Sequence, residues 1–380
     1  MGGLDLRHPP DAREHADGPV LLDHGGPDAS RPASRGGGKQ RPGGPEDARP
    51  ARGPPRDAAR RGAGGPVSRP SPRPETGRVV AGPKTEIGRE TDNPHRRKAG
   101  NMVRIAGATF SFGDLTLEAS AKVLQEIGFD LADVGAGWDG YQQVPPQEAA
   151  DDSEGQAERL RRVMGERGLG VSELFLMHFG KPVNHPDPGV RAWTRGMFDG
   201  ITTFARKAGF ESVMLIPGHV HEELGQTPDE AFDTSVSALQ EMVAVAEGKD
   251  LRCNVEPCVG SIAQRPADAI RLVRAVPGLG LTLDYAHQVQ LGLGHDEIET
   301  LHPYARHFHA KQSAPGVFQA RPDEGVIDFR RVLRKLRADG YDGVVCVEFV
   351  TSQAVLDAGW DMRRETARLK QVLEDGLAAA

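Results

Sequence analysis

Four short strand-like runs in the C-terminal half of the chain each end in a side chain that can ligate a metal ion. Arg252-Cys253-Asn254-Val255 leads into Glu256, Leu281-Thr282-Leu283 into Asp284, Arg306-His307-Phe308 into His309, and Val344-Val345-Cys346-Val347 into Glu348. The residue before each candidate ligand is apolar: Val255, Leu283, Phe308 or Val347. In a strand, neighbouring side chains point to opposite faces, so this pattern puts all four candidates on one face and the apolar residues on the other. Any one of them alone would pass for an ordinary loop-end or core group. Four at equivalent positions on successive strands form a constellation. Burying three carboxylates together without a cation costs several kcal/mol each, and a divalent cation removes that clash. Three carboxylates and one imidazole suit Mn²⁺ foremost, then Mg²⁺ or Co²⁺, and are compatible with Zn²⁺. Two coordination positions would remain for substrate oxygens.

These residues need a frame that brings four strand ends to one place. From Met102 onward, strand-like runs alternate with helical patterns. The strands are expected at 103–109, 131–135, 171–178, 212–217, 251–256, 280–285, 306–311 and 343–349. Leu117, Ala121, Leu124 and Ile127 recur at the helical period, as do Phe329, Val332, Leu333 and Leu336. Thr116 and Asp328 read as N-caps, and Gly128, Gly209 and Gly340 as helix stops. Eight strands with eight intervening helices predict a (βα)8 TIM barrel over residues 102–380, with its site at the C-terminal strand ends. A doubly wound open sheet would carry a glycine-rich phosphate loop after an early strand, and neither GxGxxG nor GxxxxGK[ST] occurs there.

The first 101 residues differ from the rest. They hold 18 Gly, 16 Pro and no aromatic residue, a composition that buries too little apolar area to offset its ordering entropy. We expect a disordered Gly/Pro/Arg-rich extension, either an idle tail or an upstream extension of a product that starts at Met102. It carries a net charge of +6, and the remaining 279 residues a net charge of −13. A body that acidic disfavours nucleic acid and anionic membrane surfaces as partners. No apolar run is long enough to span a bilayer, and no secretory signal pattern is present. Cys253, Cys258 and Cys346 are odd in number and lack CxxC spacing, so a disulfide framework is not expected. The expected location is the cytoplasm.

Glu256-Pro257, the DxxH motif Asp284-Tyr285-Ala286-His287, His307-Phe308-His309-Ala310-Lys311, Gly325-Val326-Ile327-Asp328-Phe329 and Val347-Glu348-Phe349 together resemble the xylose-isomerase-like superfamily of sugar phosphate isomerases and epimerases. The resemblance covers essentially all of residues 102–380. It implies a metal-dependent sugar isomerase or epimerase in which Glu256, Asp284, His309 and Glu348 hold one divalent ion. The ion would clamp the carbonyl and an adjacent hydroxyl of a ketose-like substrate and stabilise an enediolate. By analogy with the family's ketohexose 3-epimerases, Glu256 and Glu348 become the acid/base pair, and His287 binds a substrate hydroxyl.

The chain departs from those epimerases at two positions. Ile262 stands where they carry a second glutamate, and Pro315 where they carry an arginine. The resemblance therefore leaves the substrate open among ketoses and keto-polyols, with inosose-type dehydratase and hydroxypyruvate isomerase as alternatives. Lys311 is inward by parity and a candidate substrate contact, unless its ammonium reaches solvent. Arg321 is a weaker candidate clamp for a phosphate or carboxylate. His178, His219 and Trp138 follow earlier strands and are candidates to line the pocket. His185, His221, His295 and His302 read as surface groups, and Cys346 as a small core hydrophobe inside the barrel. The family's apurinic-site endonucleases need an Asp-x-His pair where this chain has Asp323-Glu324-Gly325, which counts against that activity. A non-catalytic sugar-binding barrel would be expected to lack a ligand or base, and none is missing. Homo-oligomers, dimers and tetramers, are common in this family, so the resemblance implies a homo-oligomer as an expectation.

Overall fold

A computed structural model describes residues 103–137, 143–177 and 181–379. The expected extension over 1–101, Trp138 and His178 lie outside the described residues.

Eight parallel strands close into a barrel: β1 (Arg104–Ala108), β2 (Leu131–Gly135), β3 (Gly170–Leu176), β4 (Ser212–Leu215), β5 (Arg252–Val255), β6 (Leu279–Asp284), β7 (Ala305–Ala310) and, after a hairpin, β10 (Val344–Val347). Helices pack outside, in a TIM-barrel arrangement. Their ends follow local chemistry. The Thr116 hydroxyl accepts from the Ala119 N–H and the Asp328 carboxylate from the Arg331 N–H, each satisfying a first-turn donor. Gly128 closes the first helix at φ 92°, a conformation costly for any residue with a Cβ.

Register confirms the alternation read from the sequence. Ala106 of β1 pairs with Cys346 of β10, which pairs with His309 of β7, which pairs with Asp284 of β6. All four face the barrel interior. Val255, Leu283, Phe308 and Val347 are buried on the other side, in the large core beneath the helices.

The interior divides into two halves. Ala106, Ala108, Leu131, Phe175, Met214, Val344 and Cys346 form a small apolar cluster with Phe110, so Cys346 is the core hydrophobe its parity suggests. Across from it lie Asp133, Glu173, Asn254, Thr282 and His307, all buried, where barrels of this kind usually place branched aliphatic residues. Glu173 organises this half: one carboxylate oxygen accepts from Ser212 Oγ and Asn254 Nδ2, both at 2.7 Å, and the other accepts from Thr282 Oγ1 at 2.6 Å.

Two differences from the sequence reading have clear causes. The segment after β7 does not run straight into a helix. It folds into an antiparallel hairpin, β8 (Gln312–Ala314) and β9 (Val317–Ala320), turning at Pro315-Gly316 with Gly316 at φ 76°. His221 and His302 are buried, not on the surface. His302 sits 2.6 Å from the Tyr285 hydroxyl and 3.3 Å from Asp339, and His221 sits 3.2 Å from Glu223; local partners offset the burial of each ring. Among the described residues, no helix is long and apolar enough to cross a membrane.

Glu173→Ala would leave three buried donors without an acceptor, at about 1–3 kcal/mol each. It should lower unfolding free energy by about 3 kcal/mol or more in a urea titration. A change below about 1 kcal/mol would show that the network contributes little.

Candidate active site

The four candidate ligands converge at the C-terminal mouth of the barrel, and all are buried. Glu256 immediately follows β5, where its N–H donates to the Leu215 carbonyl at 3.0 Å. Glu348 immediately follows β10, its N–H donating to the Ala310 carbonyl at 3.0 Å. Neighbouring strands thus fix both backbones. His309 turns Nδ1 toward both carboxylates, 3.2 Å from Glu256 Oε1 and 2.8 Å from Glu348 Oε2. Its ring lies against the stacked pair Phe110 and Phe175, which are 4.2 Å apart.

Asp284 ends β6 and caps the short helix Tyr285–Gln290, accepting from the Ala286 N–H at 2.8 Å. The helical step of three residues then returns His287 toward the same point. Its Nε2 lies 3.6 Å from Glu256 Oε2 and 3.9 Å from Asp284 Oδ2. Gln288 Nε2 ties this helix to the Pro257 carbonyl at 2.7 Å. Lys311 is fully buried; its ammonium pairs with Asp284 Oδ2 and lies 3.4 Å from Glu348 Oε1. Phe318 of the hairpin roofs this corner, its ring centroid 5.0 Å from that of His287 and 4.6 Å from Lys311 Nζ.

Electrostatics sort the carboxyl groups. Burial alone would raise Glu256, but hydrogen bonds and charge from His287 and His309 outweigh it and hold Glu256 well below the usual carboxylate range. Glu348 is likewise lowered, with Lys311 and His309 overcoming burial. Asp284 goes the other way, because its burial outweighs Lys311 and His287. Burial would depress Lys311, but Asp284, Glu348 and Glu256 hold it above its ordinary value. His309, also buried, is raised well above its ordinary value by Glu348, Asp133 and Glu256.

This donor set fits a divalent cation. Glu256, His309 and Glu348 present ligand atoms within 4.8 Å of one another, and so do Glu256, Asp284 and His287, with Glu256 common to both groups. Glu348 Oε2 is buried and, although close to His309, accepts no well-directed hydrogen bond, so it has a lone pair to offer. A third group, Asp133, His307 and His309, lies one layer deeper. It was not singled out from the sequence, although His307 stands two residues before His309 and so shares its inward parity.

The remaining candidates are placed elsewhere. His219 is exposed; its ring lies 4.1 Å from that of His221, and its backbone is held by Asn184. Arg321 reaches Glu324, the Ala358 carbonyl and the face of Trp360. Neither is brought among the carboxylates. Phe318 was not anticipated, and the only local signal for its hairpin is the Pro-Gly turn.

The model of the xylose isomerase-like TIM barrel family matches residues 121–372. An uncharacterised protein of Methanocaldococcus jannaschii is 27% identical over 180 residues, which cover 43% of this chain and 61% of that protein. The L-ribulose-5-phosphate 3-epimerase of Salmonella paratyphi B is 27% identical over 209 residues, 51% of this chain and 70% of the epimerase. A solved D-tagatose 3-epimerase-like protein superposes with a TM-score of 0.59 at 19% identity, covering 73% of this chain and 98% of that one.

Lys311→Met should destabilise the metal-free protein by about 3–5 kcal/mol near neutral pH, the scale for stripping one partner from a buried ion pair. Saturating Mn²⁺ should restore part of that loss. An unchanged urea midpoint would show that the ammonium is not the counter-charge of this site.

Proposed function

Because this chain belongs to the xylose isomerase-like TIM barrel family, we propose that it is a divalent-metal-dependent epimerase or isomerase acting on a ketose or keto-polyol. One observation carries this reading: Glu256 and Glu348, two buried carboxylates held as anions, reach the same imidazole nitrogen from two different strands. The sugar 3-epimerases among the relatives support the substrate class.

A divalent ion held by Glu256, Asp284, His309 and Glu348 would polarise a substrate carbonyl and acidify the neighbouring C–H. The chain's own residues do the rest. Glu256 and Glu348 serve as the exchanging pair. The ionised member takes the proton from carbon, its partner, first protonated from solvent, gives one to the other face, and exchange with solvent between turnovers resets both. Their lowered proton affinity keeps both ionised until substrate binds, and the Phe110, Phe175 and Phe318 rings around the site exclude the water that would compete for the carbanion. His287 Nε2 orients a substrate hydroxyl. Lys311 supplies a buried cation in a chain that has Pro315 where the family's 3-epimerases have arginine, and it is released from Asp284 to meet a substrate oxygen.

The test uses the full-length protein, stripped of metal and reloaded with Mn²⁺, in D₂O with ketopentoses, ketohexoses, their terminal phosphates, hydroxypyruvate and a keto-inositol. Mass spectrometry should find metal-dependent deuterium next to the carbonyl of at least one compound. Glu348→Gln should slow its entry by about 10²-fold or more. Exchange that persists without metal, or in no compound with metal bound, would overturn the proposal.

A further inference from the structure

Below the four ligands, Asp133 of β2 is a buried carboxylate with three of its four accepting positions filled. Its Oδ1 accepts from the Glu173 N–H at 3.0 Å and from the Ser172 hydroxyl, and its Oδ2 takes His307 Nε2 at 2.6 Å. A carboxylate has about four such positions. The fourth faces His309: Asp133 Oδ2 is 3.5 Å from His309 Nε2. That nitrogen is buried and has no hydrogen-bond partner within ordinary distance, whereas the same ring's Nδ1 faces Glu256 and Glu348.

We infer that Asp133 is the positioning residue of this site, accepting the Nε2 proton of His309 and so committing Nδ1 to the metal. The inference rests on the metal-dependent reading given above. It assigns a job to a carboxylate that touches neither the ion nor the substrate. A metal-bound imidazole becomes a better Nε2 donor, and a small ring movement closes the gap to the ~3.0 Å of an ordinary hydrogen bond. The three filled positions keep the acceptor from following the ring, because Ser172 and Glu173 lie on β3 and His307 on β7. Asp133 thereby ties β2, β3 and β7 to the ligand.

A second ion in the deeper group, Asp133, His307 and His309, fits less well. At 2.6 Å the Asp133–His307 pair is a closed hydrogen bond, while an ion with ligand bonds of about 2.0–2.2 Å needs its donors farther apart. The deeper group is therefore a support for the upper one.

Two measurements on the full-length protein test this. By calorimetric titration, the near-isosteric Asp133→Asn should weaken Mn²⁺ binding about 10–100-fold, the usual cost of losing such a partner. Ser172→Ala, which keeps the carboxylate and loses one anchor, should weaken it less. A purely structural Asp133 would predict unchanged affinity in any folded Asp133→Asn protein. The second measurement needs no variant of Asp133. In ¹⁵N-histidine-labelled wild type loaded with Zn²⁺, His309, assigned by its loss in His309→Asn, should carry a slowly exchanging, strongly downfield Nε2 proton. Mn²⁺ affinity within twofold of wild type in Asp133→Asn, or an unprotonated His309 Nε2 in the Zn²⁺-loaded wild type, would overturn the inference. Absence of any metal binding by the wild type would overturn the metal-dependent reading itself, and the inference with it.

Discussion

Three carboxylates buried at one end of a closed barrel are the constraint on which the rest of this structure depends. Glu256, Asp284 and Glu348 are each nearly inaccessible to water, and like charges at that depth repel strongly. The protein answers with three basic side chains drawn from β7 and its neighbours: His309 between the two glutamates, Lys311 against Asp284 and Glu348, and His287 over Glu256 and Asp284. The result is a site in which every charge has a partner, yet one buried oxygen, Glu348 Oε2, has no well-directed hydrogen bond. Under the proposed metal-dependent reading, such an arrangement would exchange its internal cations for an external one.

The barrel beneath is built to hold that charge in place. Its apolar half, around Phe110, Phe175 and Cys346, gives the imidazole a hard surface to rest on. Its polar half, around Asp133 and Glu173, links strands through buried hydrogen bonds. A buried network of this kind resists displacement, because moving a member leaves a donor or acceptor unpaired in a low-dielectric interior. The proposed proton transfer at carbon would need such rigidity, since it depends on holding acid, base and substrate within fractions of an ångström. The hairpin after β7 adds a roof, with Phe318 over His287 and Lys311, which shields that corner from water.

Much of this was legible in the residues. The apolar neighbour before each ligand fixed its parity, and register pairing such as Asp284 with His309 agrees with it. The DxxH resemblance singled out His287, and the short helix after Asp284 returns it to the site. Less was legible where the partner lies far along the chain. Asp133 and His307 are 174 residues apart, and nothing local in Leu131-Ala132-Asp133 distinguishes a carboxylate that meets two inward histidines from one that caps a loop. The hairpin was missed because three- and four-residue strands carry too little periodicity to separate from a loop. His302 and His221 read as surface groups because their burial is offset by partners, Tyr285 and Asp339 in one case and Glu223 in the other, that only folding identifies.

The sequence by itself determined the barrel and the inward placement of the four candidate ligands, since both follow from period-two and period-3.6 patterns that act over a few residues. Tertiary structure decided what surrounds them. It set Lys311 among the carboxylates, where an inward lysine could equally have reached solvent, and drew His219 and Arg321 to other partners. It turned Nδ1 of His309, not Nε2, toward the glutamates. Those choices depend on Coulomb interactions and hydrogen bonds between strands distant in sequence. Their energies scale with separation in space, and closure of the barrel is what sets that separation.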